Sequence, residues 1–340
     1  MKDKILCLVW APFSPRMDEL CEELGGKRVT LNFLFGRRNL APLRYLVLLL
    51  QTGLVLLKER PSIVYAQNPP IFCPLSCMLY CKTRRSKLIV DHHAVWSTKT
   101  LGNGFLGNFI RKLESFVSKH AFANTAPHPF WASELDQLGA RQVVTIFDYV
   151  RSSISARDSK THDEFSQGRE FLILAPHGGH PLEKIESEVE ACSSIEKASL
   201  LLSGPESKLR KRIDQIILPK NVRYIGFLEK EKFERLKASS DLGICITDEP
   251  YTLSHSLLEF AACSVPIISS NQAPVKALFG DSLFYVESSK PSEVAKVIKQ
   301  VLGDENLLAT YRERLSKKSE EISLQRQNAI ENLKLLIASK

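Results

Sequence analysis

Several common signatures are missing from this sequence. No Gly-x-Gly-x-x-Gly run follows the first apolar strand at Lys4 to Trp10, which removes the usual dinucleotide fingerprint from that position. The eight cysteines form no Cys-x-x-Cys pair and sit mainly inside apolar stretches, as Cys7, Cys192, Cys245 and Cys263 do. That pattern fits reduced thiols in a cytosolic chain better than a disulfide framework. Cys73, Cys77 and Cys81 recur every four residues, the spacing of one packed helix face, and the metal reading is the weaker one. No repeat or low-complexity tract appears, and Met1 to Trp10 lacks the apolar core of a signal peptide. The most apolar segment, Tyr45 to Leu57, is about thirteen residues where about twenty span a bilayer, so it is not expected to cross one.

Acidic residues are scarce in the first half. Residues 1–150 hold 19 of the 46 Lys and Arg but only 11 of the 38 Asp and Glu, so the whole net charge of +8 sits there. A one-sided excess fits an anionic partner such as phosphate, nucleic acid or a membrane surface. The basic residues lack interleaved aromatics for base stacking, which ranks nucleic acid last. Arg37, Arg38, Arg44, Lys58 and Arg60 flank the apolar segment 45–57, which reads either as a helix lying in a membrane interface or as a core helix crossing a sheet.

Short β-rich runs alternate with helical segments through the chain. Lys4–Trp10, Val29–Phe35, Ile63–Ala66, Leu88–Val90, 121–126 and Val143–Phe147 read as strands, with helices expected at 18–24, 43–58, 72–81, 106–120 and 129–138. Residues 151–169 are polar, lack apolar periodicity and read as a linker. Glu170–Ala175, Leu200–Gly204, Asn221–Gly226, Leu242–Ile246 and Val265–Ile268 repeat the strand character, and the pattern is helical from 291 onward. This predicts an α/β protein of two Rossmann-like, doubly wound parallel-sheet domains facing a cleft, with about five strand-plus-helix units each: residues 1–150 and residues 170–340.

The stretch 241–270, DLGICITDEPYTLSHSLLEFAACSVPIISS, reads as strand, polar loop, short helix and strand. Ligands of parallel sheets bind beyond the carboxyl ends of the strands, where helix starts offer unpaired N–H groups to phosphate. Ser254, His255 and Ser256 therefore form a candidate anion site, with the Glu259 carboxylate one turn on. Ser256 and Glu259 equally match the spacing of a capping box. Gly178 and Gly179, after the strand 170–175, suit close backbone approach to a diphosphate. His93 follows a strand end, where an imidazole can take a proton from a hydroxyl, or serve as a structural histidine.

The run from the loop through Leu257-Leu258-Glu259 to Val265-Pro266-Ile267-Ile268 resembles the nucleotide-sugar site of glycosyltransferases with two Rossmann-like domains (GT-B). Ser14-Pro-Arg-Met17, Gln67-Asn-Pro-Pro70, Asp91-His-His93 and Thr145-Ile-Phe-Asp-Tyr149 are similar, within that group, to the chitobiosyldiphosphodolichol β-mannosyltransferase family, with His92 in place of a tryptophan. The resemblance implies that Glu259 holds the donor ribose, that backbone near Phe227 meets the base, and that Lys184, with His177 near the place of a missing arginine, faces the leaving diphosphate. It also implies that the final helices pack back on the first domain. Many members carry a second Glu where this chain has Tyr251, with Glu249 two residues upstream.

The resemblance points to a glycosyltransferase with a GDP- or UDP-sugar donor, mannose by this likeness, and a glycan or polyprenyl-pyrophosphate acceptor. Ser14, Arg16 and Asn68 are then acceptor contacts, Arg16 alternatively a surface charge, and His93 or Asp91 the base of an inverting reaction. The absence of Asp-x-Asp implies metal-independent transfer without a cofactor. A nucleotide-sugar epimerase or a non-catalytic sugar-nucleotide binder of the same fold is the competing reading, favoured by the missing Arg and Glu. The expected location is cytoplasmic, with peripheral contact to the membrane.

Overall fold

The computed structural model describes residues 4–93, 104–148, 156–249, 252–287 and 289–339. The chain divides into one unit of residues 1–149 with 323–340 and a second of residues 150–322.

The first unit is built on a six-stranded, all-parallel sheet: β1 (Ile5–Val9), β2 (Lys27–Thr30), β3 (Ile63–Asn68), β4 (Lys87–His92), β5 (Ala123–Ala126) and β6 (Val143–Thr145), in the order β2-β1-β3-β4-β5-β6. Strands covered on both faces read as unbroken apolar runs, and β1 is buried at every position. One face carries the helices Ala41–Glu59, Phe72–Arg84 and Phe105–His120, whose Leu48, Leu56, Cys73, Cys77, Cys81 and Val117 pack on Leu6, Leu8, Val64 and Val90. The other carries helix Pro15–Glu23 and Ile330, Leu333 and Ile337, from the last helix, Glu305–Ala338. The three cysteines at four-residue spacing are thus core residues.

Strand β2 stops at Thr30, short of the run Val29–Phe35, because its partner β1 ends at Val9, which is paired with Thr30. The helix over the expected segment 45–57 is also longer than thirteen residues. At 19 residues it is long and apolar enough, by length and composition alone, to cross a membrane. Its inner face is nevertheless docked in this unit, with Trp10 Nε1 donating to Thr52 Oγ1 at 3.0 Å in the core.

The second unit repeats the scheme, also with six strands rather than five: β7 (Phe171–Pro176), β8 (Ala198–Ser203), β9 (Val222–Gly226), β10 (Leu242–Cys245), β11 (Ile267–Ser270) and β12 (Phe284–Val286), in the order β12-β11-β10-β7-β8-β9. The polar stretch 151–169 is not linker throughout. Residues Ser159–Ser166 form a helix, because Asp158 caps it by accepting from the backbone N–H of Lys160 and Thr161, and His162 and Phe165 turn inward.

Each sheet has one place where the strand order reverses, between β1 and β3 in the first and between β7 and β10 in the second. The loops beyond the carboxyl ends at such points part to opposite faces and leave room for a ligand.

Candidate functional site

In the second unit the loops after β7 and β10 are joined to one another. Asp248 N donates to Leu182 O at 3.0 Å, Lys184 N donates to Ile246 O at 3.3 Å, and Lys184 Nζ pairs with Asp248. The segments 177–184 and 246–249, one from each stretch singled out in the sequence, therefore meet at the reversal point of this sheet. Gly179 has a φ of +81°, and a Cβ there would lie 2.6 Å from the Lys208 Cβ, so the turn requires glycine.

The glycine turn does not present its N–H groups outward. The Glu183 carboxylate accepts from Gly178 N at 2.7 Å, Gly179 N at 2.9 Å and His180 N at 3.0 Å. Gly178, expected to approach a diphosphate, instead cradles this carboxylate, a concavity of N–H groups being an anion site for whichever anion is nearest. Lys208 Nζ donates to Gly178 O at 3.3 Å. His177 is buried, its Nε2 3.0 Å from Glu188 Oε2. Burial opposes its charge, but Glu188 outweighs burial and raises its pKa. His177 therefore does not take the place of the missing arginine at a diphosphate.

Helix His255–Ala262 lies close on β10 because Gly243 has no side chain: a Cβ there would stand 2.7 Å from the Phe260 ring. Ser254 is its N-cap and makes no side-chain cap bond, while Ser256 lies inside the first turn. The capping box does not form. The Glu259 carboxylate faces His255 Nδ1 at 3.4 Å and Lys237 Nζ at 3.6 Å. Burial pushes its pKa up, but the His255 contact and the Lys237 charge prevail and hold it below the ordinary glutamate value. Lys237 is fully buried and also meets Glu234 Oε2 at 3.1 Å.

Sequence reasoning missed Lys237, since a lone lysine in a polar helix reads as solvated until the fold closes over it. It also missed a polar hollow of about 350 Å³ lined by Thr247, Asp248, Ser270, Asn271, Gln272 and Glu287, whose only sequence signal is the polar run after β11. Phe227 follows the end of β9 and is 74% exposed. Tyr251, the place of the absent second Glu, lies outside the described residues.

In the first unit, Ser14 and Arg16 follow β1, Asn68 ends β3, Asp91 lies near the end of β4 and His93 just beyond it, so all five gather at the carboxyl edge of the sheet. Arg16 is buried rather than a surface charge. Its Nε lies 3.1 Å from both Asp91 oxygens, and a terminal nitrogen donates to Ile146 O and Asp148 Oδ1, each at 2.8 Å. Burial works against the guanidinium charge, and Asp91 and Asp148 outweigh it. Asp91 also accepts from Thr125 Oγ1 at 2.8 Å. Arg16 as a phosphate contact and Asp91 as a base are thereby corrected to a buried ion pair that ties helix Pro15–Glu23, β4 and the segment after β6 together. Ser14 is buried at the start of helix Pro15–Glu23.

Asn68 is likewise buried. Its amide donates to His92 Nδ1 at 3.1 Å and Glu114 Oε1 at 3.2 Å, which makes it a core residue rather than an acceptor contact. His92 Nε2 faces Asn124 Oδ1 at 3.0 Å, and the Asn124 amide is fixed by donating to Ser118 O and Arg141 O. The network requires neutral His92 with its proton on Nε2, and burial lowers its pKa to about 4. His93, next along, is exposed, and its backbone N donates to Asn68 O at 2.9 Å. His128, which sequence reasoning passed over, caps helix Pro129–Gln137 and is also held near pKa 4 by burial.

Two family descriptions match. "Glycosyl transferases group 1" covers residues 166–321, and "Glycosyl transferase 4-like domain" covers residues 5–147. No curated protein sequence matches the chain. Solved structures similar in fold include three that align with nearly the whole chain. The Anabaena protein HepE in complex with UDP is 14% identical, covering 97% of this chain and 99% of its own with a TM-score of 0.76. Sucrose-phosphate synthase from Thermosynechococcus elongatus is 14% identical over 97% and 99%, with a TM-score of 0.75. A glycosyltransferase from Rickettsia africae is 15% identical over the full length of both chains, also with a TM-score of 0.75. With one glycosyltransferase description on each unit and two parallel six-stranded sheets of the same architecture, the chain has the GT-B fold, and its second unit carries the group 1 glycosyl transferase domain.

Proposed function

We propose that the chain moves a hexosyl group from a nucleoside-diphosphate sugar to an acceptor hydroxyl without a metal ion. The observation that carries this reading is the Glu259 carboxylate, kept ionised by Lys237 and His255 on a helix beginning at the reversal point between β7 and β10. An ionised carboxylate accepts two ribose hydroxyls, and the N–H groups of the helix start at Ser254 to Ser256 with Lys184 offset the charge that grows on the departing diphosphate. The bond from the sugar C1 to the β-phosphate oxygen breaks as the acceptor oxygen bonds to C1. His93 takes the hydroxyl proton if configuration inverts. UDP is the first donor nucleotide to test, because HepE is seen with UDP and with UDP-glucose. GDP-mannose is the second, with a glycan or polyprenyl-pyrophosphate acceptor, on the β-mannosyltransferase likeness of the first half.

A thermal-shift panel of nucleoside diphosphates and nucleotide sugars tests the reading. A ligand at a hundredfold excess over its dissociation constant adds about 2.7 kcal/mol of stability. Glu259→Ala is expected to abolish the shift, and no shift with any nucleotide removes the proposal. Binding without release of nucleoside diphosphate in the presence of acceptors favours the competing reading of a binder or epimerase. The Glu183-filled glycine turn is the feature that speaks for that alternative.

A further inference from the structure

The helix Ala41–Glu59 is apolar on both sides. Leu48, Thr52 and Leu56 face the sheet, while Leu43, Leu46, Leu50, Leu54 and Leu57 form a ridge on the opposite side, from 49% exposed at Leu43 to 69% at Leu54. A soluble layer helix normally turns polar residues to water. Along the same layer, Leu79 of helix Phe72–Arg84 and Phe105, Leu106, Phe109 and Phe116 of helix Phe105–His120 are exposed as well. Exposed apolar surface on this scale marks an interaction site.

Charge identifies the occupant. These three helices contain two carboxylates: Glu59, held by Lys4 and Lys27, and Glu114, which is buried. Against them stand exposed Lys58, Lys82, Arg84, Lys112 and Lys119, with Arg37, Arg60 and Arg85 beside the helix ends. Where helices Phe72–Arg84 and Phe105–His120 end, a cavity of about 750 Å³ is lined by Lys82, Arg85, Lys87, His120 and Arg141, with no carboxylate in its wall. Lysine and arginine at helix ends also complement the helix dipole, but that effect gives no reason for the leucines.

We infer that this layer of the first unit is a docking face for an anionic lipid bilayer, with the leucine ridge entering the acyl boundary and the cations meeting lipid phosphate. A cation near such a surface contributes about 1 kcal/mol, and each leucine adds its burial, so several together suffice for reversible attachment. A second copy of this chain would also cover leucines, but two faces of like positive charge repel. The inference rests on the surface alone and stands apart from the sugar-transfer reading.

Co-sedimentation of the full chain with vesicles tests it. Phosphatidylcholine vesicles containing phosphatidylglycerol are expected to carry the protein down, and phosphatidylcholine vesicles alone are not. Leu50→Glu with Leu54→Glu, and separately Lys58→Glu with Arg60→Glu, are expected to weaken partitioning about tenfold or more. Both variants should keep the wild-type melting temperature, because all four side chains are exposed. Failure of the wild type to bind anionic vesicles at low salt, or binding indifferent to the leucine pair, overturns the inference. So does a wild-type dimer that the leucine pair converts to monomer without any vesicle binding.

Discussion

Glu183 Oε1 accepts the backbone N–H of Gly178 at 2.7 Å, across the turn where a diphosphate was expected. Its other oxygen takes two more N–H groups, so the carboxylate fixes the backbone that aims Lys184 at the joined loops. Glu183→Ala is expected to cost roughly 1–2 kcal/mol of stability, measured by urea unfolding. It should also weaken nucleotide binding about tenfold through the slackened loop, and Glu183→Gln should do less, since it keeps an acceptor oxygen. The sign of the affinity change decides between two roles. A gain in the alanine variant would make Glu183 a competitor of the diphosphate instead of a brace.

Lys237 is a positioning residue, acting on the ligand through Glu259. Replacing it with methionine retains the volume and, while the His255 contact remains, removes the second influence that holds the Glu259 pKa down, the Lys237 charge. A carboxylate with a depressed pKa is ionised throughout the neutral range, and its contribution is lost only as pH falls through that depressed value. In Lys237→Met the loss should begin at higher pH. Nucleotide affinity, titrated from neutral to acid pH by calorimetry, should be flat in the wild type and fall earlier in the variant. A purely structural lysine would lower stability and leave the pH profile where it was.

Arg16 and Asp91 show how far sequence reasoning reached. Their common placement at the carboxyl edge of the first sheet was legible, Arg16 after β1 and Asp91 near the end of β4, because strand–helix alternation fixes which residues gather there. Their pairing was not, since a separation of 75 positions hides that the two side chains meet in a buried interior. The same limit applies to Glu183, whose three bonds depend on a turn that spacing does not specify, and to the sixth strand Phe284–Val286, too short to stand out. The helix Ser159–Ser166 was obscured by its polarity, although Asp158 is a capping signal visible in the sequence.

The Arg16–Asp91 pair carries its own test. Breaking a buried pair by removing one partner leaves the other charge uncompensated, at about 3–5 kcal/mol. Arg16→Met, which leaves Asp91 without its cation, is expected to lower stability by that order in urea unfolding, and Asp91→Asn by less, because Asp148 still pairs with Arg16 at 2.8 Å. Nucleotide binding by the variants that remain folded should be unchanged. An Asp91→Asn variant of wild-type stability that lost only transfer activity would restore the base role to Asp91.

His92 predicts the acid limit of the first unit. Its folded pKa of about 4 lies below the ordinary histidine value of 6.5, because burial excludes the charge. Between those values the unfolded chain binds a proton that the folded chain refuses, so stability rises with pH and is lost as pH falls from about 6.5. The loss reaches about 2 kcal/mol at about pH 5 from this residue alone. His128 adds a loss of the same sign. His92→Gln removes one titration and keeps a polar side chain able to donate to Asn124. The variant is therefore expected to be less stable than the wild type at neutral pH, with a shallower decline in melting temperature toward acid. If the slopes of the two curves coincide between neutral and acid pH, His92 is charged in the folded protein and the neutral network with Asn68 and Asn124 is wrong.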